Sequence, residues 1–268
     1  MQGPGATNRG SDQMDRPKIV AITAGGPYPW VIFNALSEHF GPITVIEENP
    51  ESKAELLKRR ARKVGYVNTA GQLATMVASR LGKRFATMRE AQIIDEFDLQ
   101  TAPGGDQRII SVSSANDAEC TRIIAEEKPD VIVLVGCRML NPKTLAAIHA
   151  PIINYHAGIN PKYRGMMGGY WALVNNDVKN FGTTVHLVDE GVDTGAVLYQ
   201  ARMTPSPADT IATYAMIMAA HSRQICIRAV ADILQGKQKI VTVNLPSKQW
   251  YYPPIWFYIR TGIMRGIW

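Results

Sequence analysis

The chain has 268 residues, 46% of them hydrophobic and 19% charged, with 29 Lys plus Arg against 23 Asp plus Glu. That is enough for one sizeable core, or one core with a small appendage, and it excludes disordered and collagen-like chains. The formal charge of +6 points to an anionic ligand rather than a dedicated nucleic-acid surface, and no run approaches the roughly 18 to 20 apolar residues of a membrane span.

Residues 1–16 are polar and without periodicity, so a disordered leader is expected there. The segment KIVAITA at 18–24 reads as a strand, Gly25, Gly26 and Pro27 as a turn, and WVIFNALSEHF as a helix stopping at Gly41. PITVIEENP adds a second strand, and this βαβ opening predicts an α/β fold with a mainly parallel, Rossmann-like sheet flanked by helices. Residues 51–87 form a basic insertion, read as two helices joined at Gly65, Tyr66 and Val67. They make either a solvated face or an anion or lipid-surface patch.

RIISVSS after the turn cluster at 101–106, and DVIVLVG after a helix over 117–129, are further strands; the second of these is wholly apolar. IINYHAG, GTTVHLVD and GAVLYQARM continue the series, with a helix over 167–175 between the first two. A long helix is expected over 209–234, with Asp209 and Thr210 as its cap. Residues 17–238 would then form the catalytic domain. Residues 239–268, with three of the five tryptophans, would be an aromatic C-terminal extension.

Three cysteines, at 120, 137 and 226, neither pair off nor show metal-ligand spacing, which fits a reducing, cytoplasmic setting. Among five histidines, His156 stands at a strand end, where α/β sheets bind ligands, and Asn154 two residues earlier points to the same side. An amide and an imidazole facing one space suit a developing oxyanion. Asp193, in the polar glycine-flanked loop after the next strand, could orient His156 and relay a proton. The residues alone leave two readings open, a general acid/base site or a hydrogen-bonded core histidine.

NYHAGINPKYRG at 154–165, YWAL at 170–173, GTTVH at 182–186 and DEGVDTG at 189–195 together resemble the folate-dependent formyltransferases, and most closely the sugar-nucleotide N-formyltransferases. The ordered match runs over roughly 129–200. The resemblance implies transfer of a formyl group from 10-formyltetrahydrofolate, a co-substrate, to an amine, with Asn154, His156 and Asp193 as the catalytic trio. It implies that Arg138, Met139 and Leu140, with Val188, Asp189, Glu190, Gly191 and Val192, hold the pterin. No metal and no NAD are expected, since the first glycine turn is not a G-x-G-x-x-G.

Tyr163, Arg164 and Gly165 are candidate acceptor-binding residues, Arg164 either binding an anion or tying down its loop. His186 is expected to be structural or to support the catalytic residues from behind. Pro27 and Pro29 remove donors from the turn that cradles the phosphate of glycinamide ribonucleotide in this family, which argues against that acceptor. Methionyl-tRNA formyltransferases carry a further barrel domain, for which the thirty or so residues after the long helix are too few. The acceptor expected is therefore a small amine on a nucleotide-linked amino sugar, used in surface polysaccharide (lipopolysaccharide O-antigen) synthesis. The alternatives are a hydroxyornithine-type amine, hydrolysis of formyltetrahydrofolate, and a non-catalytic anion- or RNA-binding protein. The partners expected are small molecules, with no nucleic acid and no membrane span, and a second copy in a homodimer.

Overall fold

The computed structural model describes residues 16–81 and 83–268; the leader expected over residues 1–16 lies almost wholly outside them. In chain order, the first half holds β1 (Ile19–Thr23), α1 (Pro27–Phe40), β2 (Thr44–Glu48), α2 (Lys53–Val64), α3 (Tyr66–Leu81), α4 (Lys83–Phe97), β3 (Arg108–Val112), α5 (Ala118–Glu127) and β4 (Val131–Val135). The second half holds α6 (Pro142–Ala147), β5 (Ile152–His156), β6 (Arg164–Gly165), α7 (Gly168–Val174), β7 (Gly182–Leu187), β8 (Val197–Arg202), α8 (Tyr214–Leu234), β9 (Gln249–Trp250) and α9 (Ile255–Arg265).

The sheet runs β3-β2-β1-β4-β5-β7-β8. The first five strands are parallel and β7 and β8 antiparallel, in agreement with the predicted class. Strands β1 and β4 are buried at every position because helices cover both faces, which is why IVAIT and VIVLV are unbroken apolar runs. One core layer packs α1 and α8 on the sheet; the other packs α5 on the opposite face. Pro27 opens α1 and Gly41 closes it. Chain order reverses between β1 and β4, so the loops after them flank a switch-point crevice, where the Ala24 N–H donates to the Gly136 carbonyl at 3.3 Å.

Two expectations need correction. The basic stretch continues into a third helix, α4, that its weak apolar periodicity did not announce. The long helix starts at Tyr214, not Asp209. Asp209 is buried and pairs with Arg89 on α4 at 2.7 Å while accepting the Ser206 N–H at 2.8 Å, so its carboxylate is committed before it can cap anything. Residues 248–261 lie along 161–171. Trp250 stacks on Trp171 at 4.6 Å and donates to the Lys162 carbonyl at 2.9 Å, Trp171 donates to the Tyr251 carbonyl at 2.8 Å, and Tyr170 shares a 2.6 Å hydrogen bond with Thr261.

Replacing Arg89 by Met strands the Asp209 carboxylate in the interior. Losing one partner of a buried pair costs about 3 to 5 kcal/mol, so the Arg89→Met midpoint in urea should fall sharply, and an unchanged midpoint would contradict this account.

Candidate active site

Alternation along β5 places Asn154 and His156 on one side, and the antiparallel register sets His186 of β7 directly opposite Asn154. Asp193 reaches them on a loop whose ends meet where the Leu187 N–H bonds the Ala196 carbonyl at 2.9 Å. Within the loop, Asp189 Oδ1 accepts from the Gly191 N–H at 3.0 Å and the Thr194 hydroxyl at 2.7 Å, a local turn typical of aspartate. Closure admits only glycine at 195, where a Cβ would lie 1.7 Å from the Leu187 carbonyl oxygen. Asp193 itself has φ of 51°, a left-handed conformation that costs a non-glycine residue on the order of 1 kcal/mol or more.

The Asp193 carboxylate is the hub. Its Oδ1 accepts from Asn154 Nδ2 at 3.1 Å and lies 3.4 Å from His186 Nε2; its Oδ2 accepts from the Gly165 N–H at 2.8 Å and lies 3.4 Å from His156 Nδ1. Burial pushes its pKa up, but the His156 charge and the Gly165 N–H outweigh burial and hold it well below the usual carboxylate range.

His156 Nε2 stands 2.7 Å from the Tyr163 carbonyl, so both ring nitrogens face oxygens that can only accept. Gly158 permits this approach: a Cβ there would lie 2.3 Å from that carbonyl and 2.5 Å from Nε2. His186 Nδ1 faces the Leu187 carbonyl at 2.7 Å and so carries a hydrogen, and its Nε2 lies 3.1 Å from Asn154 Nδ2. In this arrangement both Asn154 amide hydrogens are used within the cluster. To donate to a reacting oxygen, Asn154 must release His186 or Asp193, and His156 must exchange the Tyr163 carbonyl.

The structure thus brings Asn154, His156 and Asp193 together and adds His186, which the sequence reading left aside; its signal was the register of β7, which periodicity does not give. Arg164 ties loops down, donating to the Val192 carbonyl at 2.7 Å and the Ser247 hydroxyl at 3.0 Å. Gly165 holds Asp193, and the Tyr163 ring is fully buried, its hydroxyl donating to Asp177 at 2.9 Å.

Of the expected pterin-holding groups, several are already bonded within the chain. The Arg138 N–H donates to buried Glu48 at 2.5 Å, and its guanidinium pairs with the same carboxylate at 3.0 Å. The Met139 carbonyl accepts from Asn116 at 3.0 Å and the Val188 N–H donates to the Ile152 carbonyl at 2.9 Å. Leu140 is buried, Met139 is exposed, and Asp189, Glu190 and Gly191 are exposed at the loop tip. No group of three or more metal-ligating side chains occurs among the described residues.

The family model for formyl transferase matches residues 51–230. The chain belongs to the formyl transferase family. It is 30% identical over 141 residues to the methionyl-tRNA formyltransferase of Pelotomaculum thermopropionicum, a match covering 52% of this chain and 44% of that protein. The chain spans less than half the length of the curated relatives it matches. Its fold is similar to that of a sugar N-formyltransferase from a Shewanella species, with a TM-score of 0.52 and 15% identity over 87% of this chain and 76% of that one. It is also similar to the sugar 3N-formyltransferase WlaRD, solved in the presence of dTDP and 5-N-formyl-THF, with a TM-score of 0.52 and 12% identity over 88% and 69% of the two chains.

Two measurements check this formyl transferase site. The depressed Asp193 pKa contributes stability that is complete above about pH 4, the unfolded value, and is lost as pH falls toward the folded one. The unfolding free-energy gap between wild type and Asp193→Asn, compared at about pH 5 and below, should therefore shrink as pH falls below about 4, and a gap unchanged down to about pH 2 would contradict the depressed pKa. Gly158→Ala forces the Tyr163 carbonyl off His156 and should shift the His156 ring resonances in an NMR spectrum; unchanged resonances would refute the contact.

Proposed function

We propose that this formyl transferase moves a formyl group from 10-formyltetrahydrofolate to the amine of a nucleotide-linked amino sugar. The observation that carries the reading is the convergence of Asn154, His156 and Asp193, braced by the Gly165 N–H, beside the carboxyl end of β5. Bound folate supplies the formyl group, and WlaRD, with its formyl-folate and dTDP, supports both the donor and the sugar-nucleotide class.

The donor would lie at the crevice beside β4, between exposed Met139, backed by buried Leu140, and the backbone of Val188, Asp189, Glu190, Gly191 and Val192. Arg138 contributes through the rigidity of its pair with Glu48 rather than through its N–H. Tyr163, Arg164 and Gly165 frame the acceptor side, where Arg164 sets the loop.

As the amine nitrogen bonds to the formyl carbon, negative charge grows on the formyl oxygen; Asn154 Nδ2 and His156 Nε2 turn from their internal acceptors to donate to it. Asp193, 3.4 Å from His156 Nδ1, orients the imidazole and helps relay the amine proton. His156 passes a proton to the departing folate nitrogen as the old carbon–nitrogen bond breaks, and the proton lost by the amine restores it, so one proton is given and one recovered per transfer. The first turn disfavours the phosphate of glycinamide ribonucleotide, since Glu47 Oε1 lies 2.7 Å from where a Gly25 Cβ would be and Pro27 opens α1 without an N–H. The methionyl-tRNA formyltransferase matches favour a second reading, an aminoacyl-tRNA acceptor.

Purified protein incubated with 10-formyltetrahydrofolate and either a panel of nucleotide-linked amino sugars or initiator methionyl-tRNA should release tetrahydrofolate with one sugar only, the acceptor gaining a formyl mass. Asn154→Ala should lower kcat about 10²- to 10³-fold and His156→Ala about 10²- to 10⁴-fold. Release with tRNA alone would replace the sugar reading, and release without any amine would mean hydrolysis.

A further inference from the structure

The exposed side of α9 is unlike an ordinary surface helix. Tyr258, Thr261 and Gly262 face the core, yet the opposite side carries Trp256, Ile259, Arg260, Ile263 and Met264, with Ile263 74% and Met264 68% exposed. A helix apolar on both sides is normally buried, so this face is built for contact with something other than water. It continues onto α3. Trp256 ring atoms lie 2.6 Å from where a Gly71 Cβ would be, the Thr75 hydroxyl donates to the Pro253 carbonyl at 2.7 Å, and Val67, one turn before Gly71 on the same side of α3, is 73% exposed beside Tyr66.

Charge is sorted in the same way. Residues 56–89 hold nine Lys or Arg and no acid, and residues 233–268 hold five and none; the rest of the chain has fifteen basic side chains and all 23 acids. The two acid-free segments contain α3 and α9, the helices that pack on each other. Lys58, Arg62 and Lys63 at the end of α2 are exposed just before Tyr66, and Arg260 is exposed within the apolar stripe.

We propose that the α3 and α9 face docks on an anionic lipid bilayer, with Trp256, Ile259, Ile263 and Met264 entering the interface and the basic segments drawn to the headgroups. Aliphatic and indole groups set among cations match a layer of anionic headgroups over hydrocarbon. They match RNA poorly, since its phosphates offer nothing to Ile263 or Met264. An isologous dimer through this face would set two acid-free basic surfaces against each other. No helix among the described residues is long and apolar enough to cross a membrane, so contact through this face is peripheral. The inference is independent of which amine is formylated.

The test is sedimentation of the purified chain with vesicles of phosphatidylcholine, with and without phosphatidylglycerol. Binding is expected only with phosphatidylglycerol, weakening in about 1 M salt, where the Debye length is ~3 Å. The paired change Ile259→Glu and Ile263→Glu should lower bound protein roughly tenfold with an unchanged circular dichroism spectrum. Arg62→Gln with Lys63→Gln, on α2, should weaken binding without touching α9. The proposal is overturned by absence of binding to phosphatidylglycerol vesicles, or by binding indifferent to both variants. It is equally overturned by polyuridylate capturing the protein more tightly than vesicles do, or by a dimer that the α9 variant dissolves while vesicles bind nothing.

Discussion

One partly buried carboxylate organises the reactive end of this molecule. Asp193 sits in a backbone conformation that aspartate adopts at a cost, and it is held there because Asn154, His156, His186 and the Gly165 N–H all converge on it. A buried anion survives only when its partners are in place, so the neighbouring loops are shaped to deliver them. Gly195 lets the loop close, Asp189 shapes its turn, Arg164 fastens Val192, and Gly158 lets the Tyr163 carbonyl reach His156.

The same constraint divides labour among the three residues. The Asp193 carboxylate is held ionised by the groups around it and faces His156 Nδ1 at 3.4 Å, which fixes the orientation of the ring. Asn154 and His156 both have their polar nitrogens directed at partners within the chain, Asp193 and His186 for the amide and Asp193 and the Tyr163 carbonyl for the ring. His186 completes the set by occupying the second Asn154 hydrogen.

Much of this was legible in the chain. The apolar runs at β1 and β4 announce a doubly covered parallel sheet because a polar side chain there needs a partner, as the Thr23 hydroxyl has in the Gly25 N–H, and the spacing of Asn154 and His156 fixes their common side. What stayed hidden depends on long-range partners. Asp209 reads as a cap until Arg89, far away on α4, claims it. His186 reads as an ordinary strand residue until the register of β7 sets it against Asn154. The aromatic C-terminal residues read only as an extension, because sequence shows their density but not the indole and phenol partners, Trp171 and Tyr170, that receive them.

The pairing of β6 with β9 carries a temporal implication. Gly165 holds Asp193, and the segment containing Gly165 is itself pinned by bonds to residues 80 to 91 positions further along the chain. During synthesis the central sheet can assemble while those partners are still unmade, because its strands are complete by Arg202. The nascent chain therefore passes through a stage with a formed scaffold and a slack acid loop. The Gly165 N–H that holds Asp193 is fastened in place only once residues 248–261 have been made and have closed over Tyr170 and Trp171.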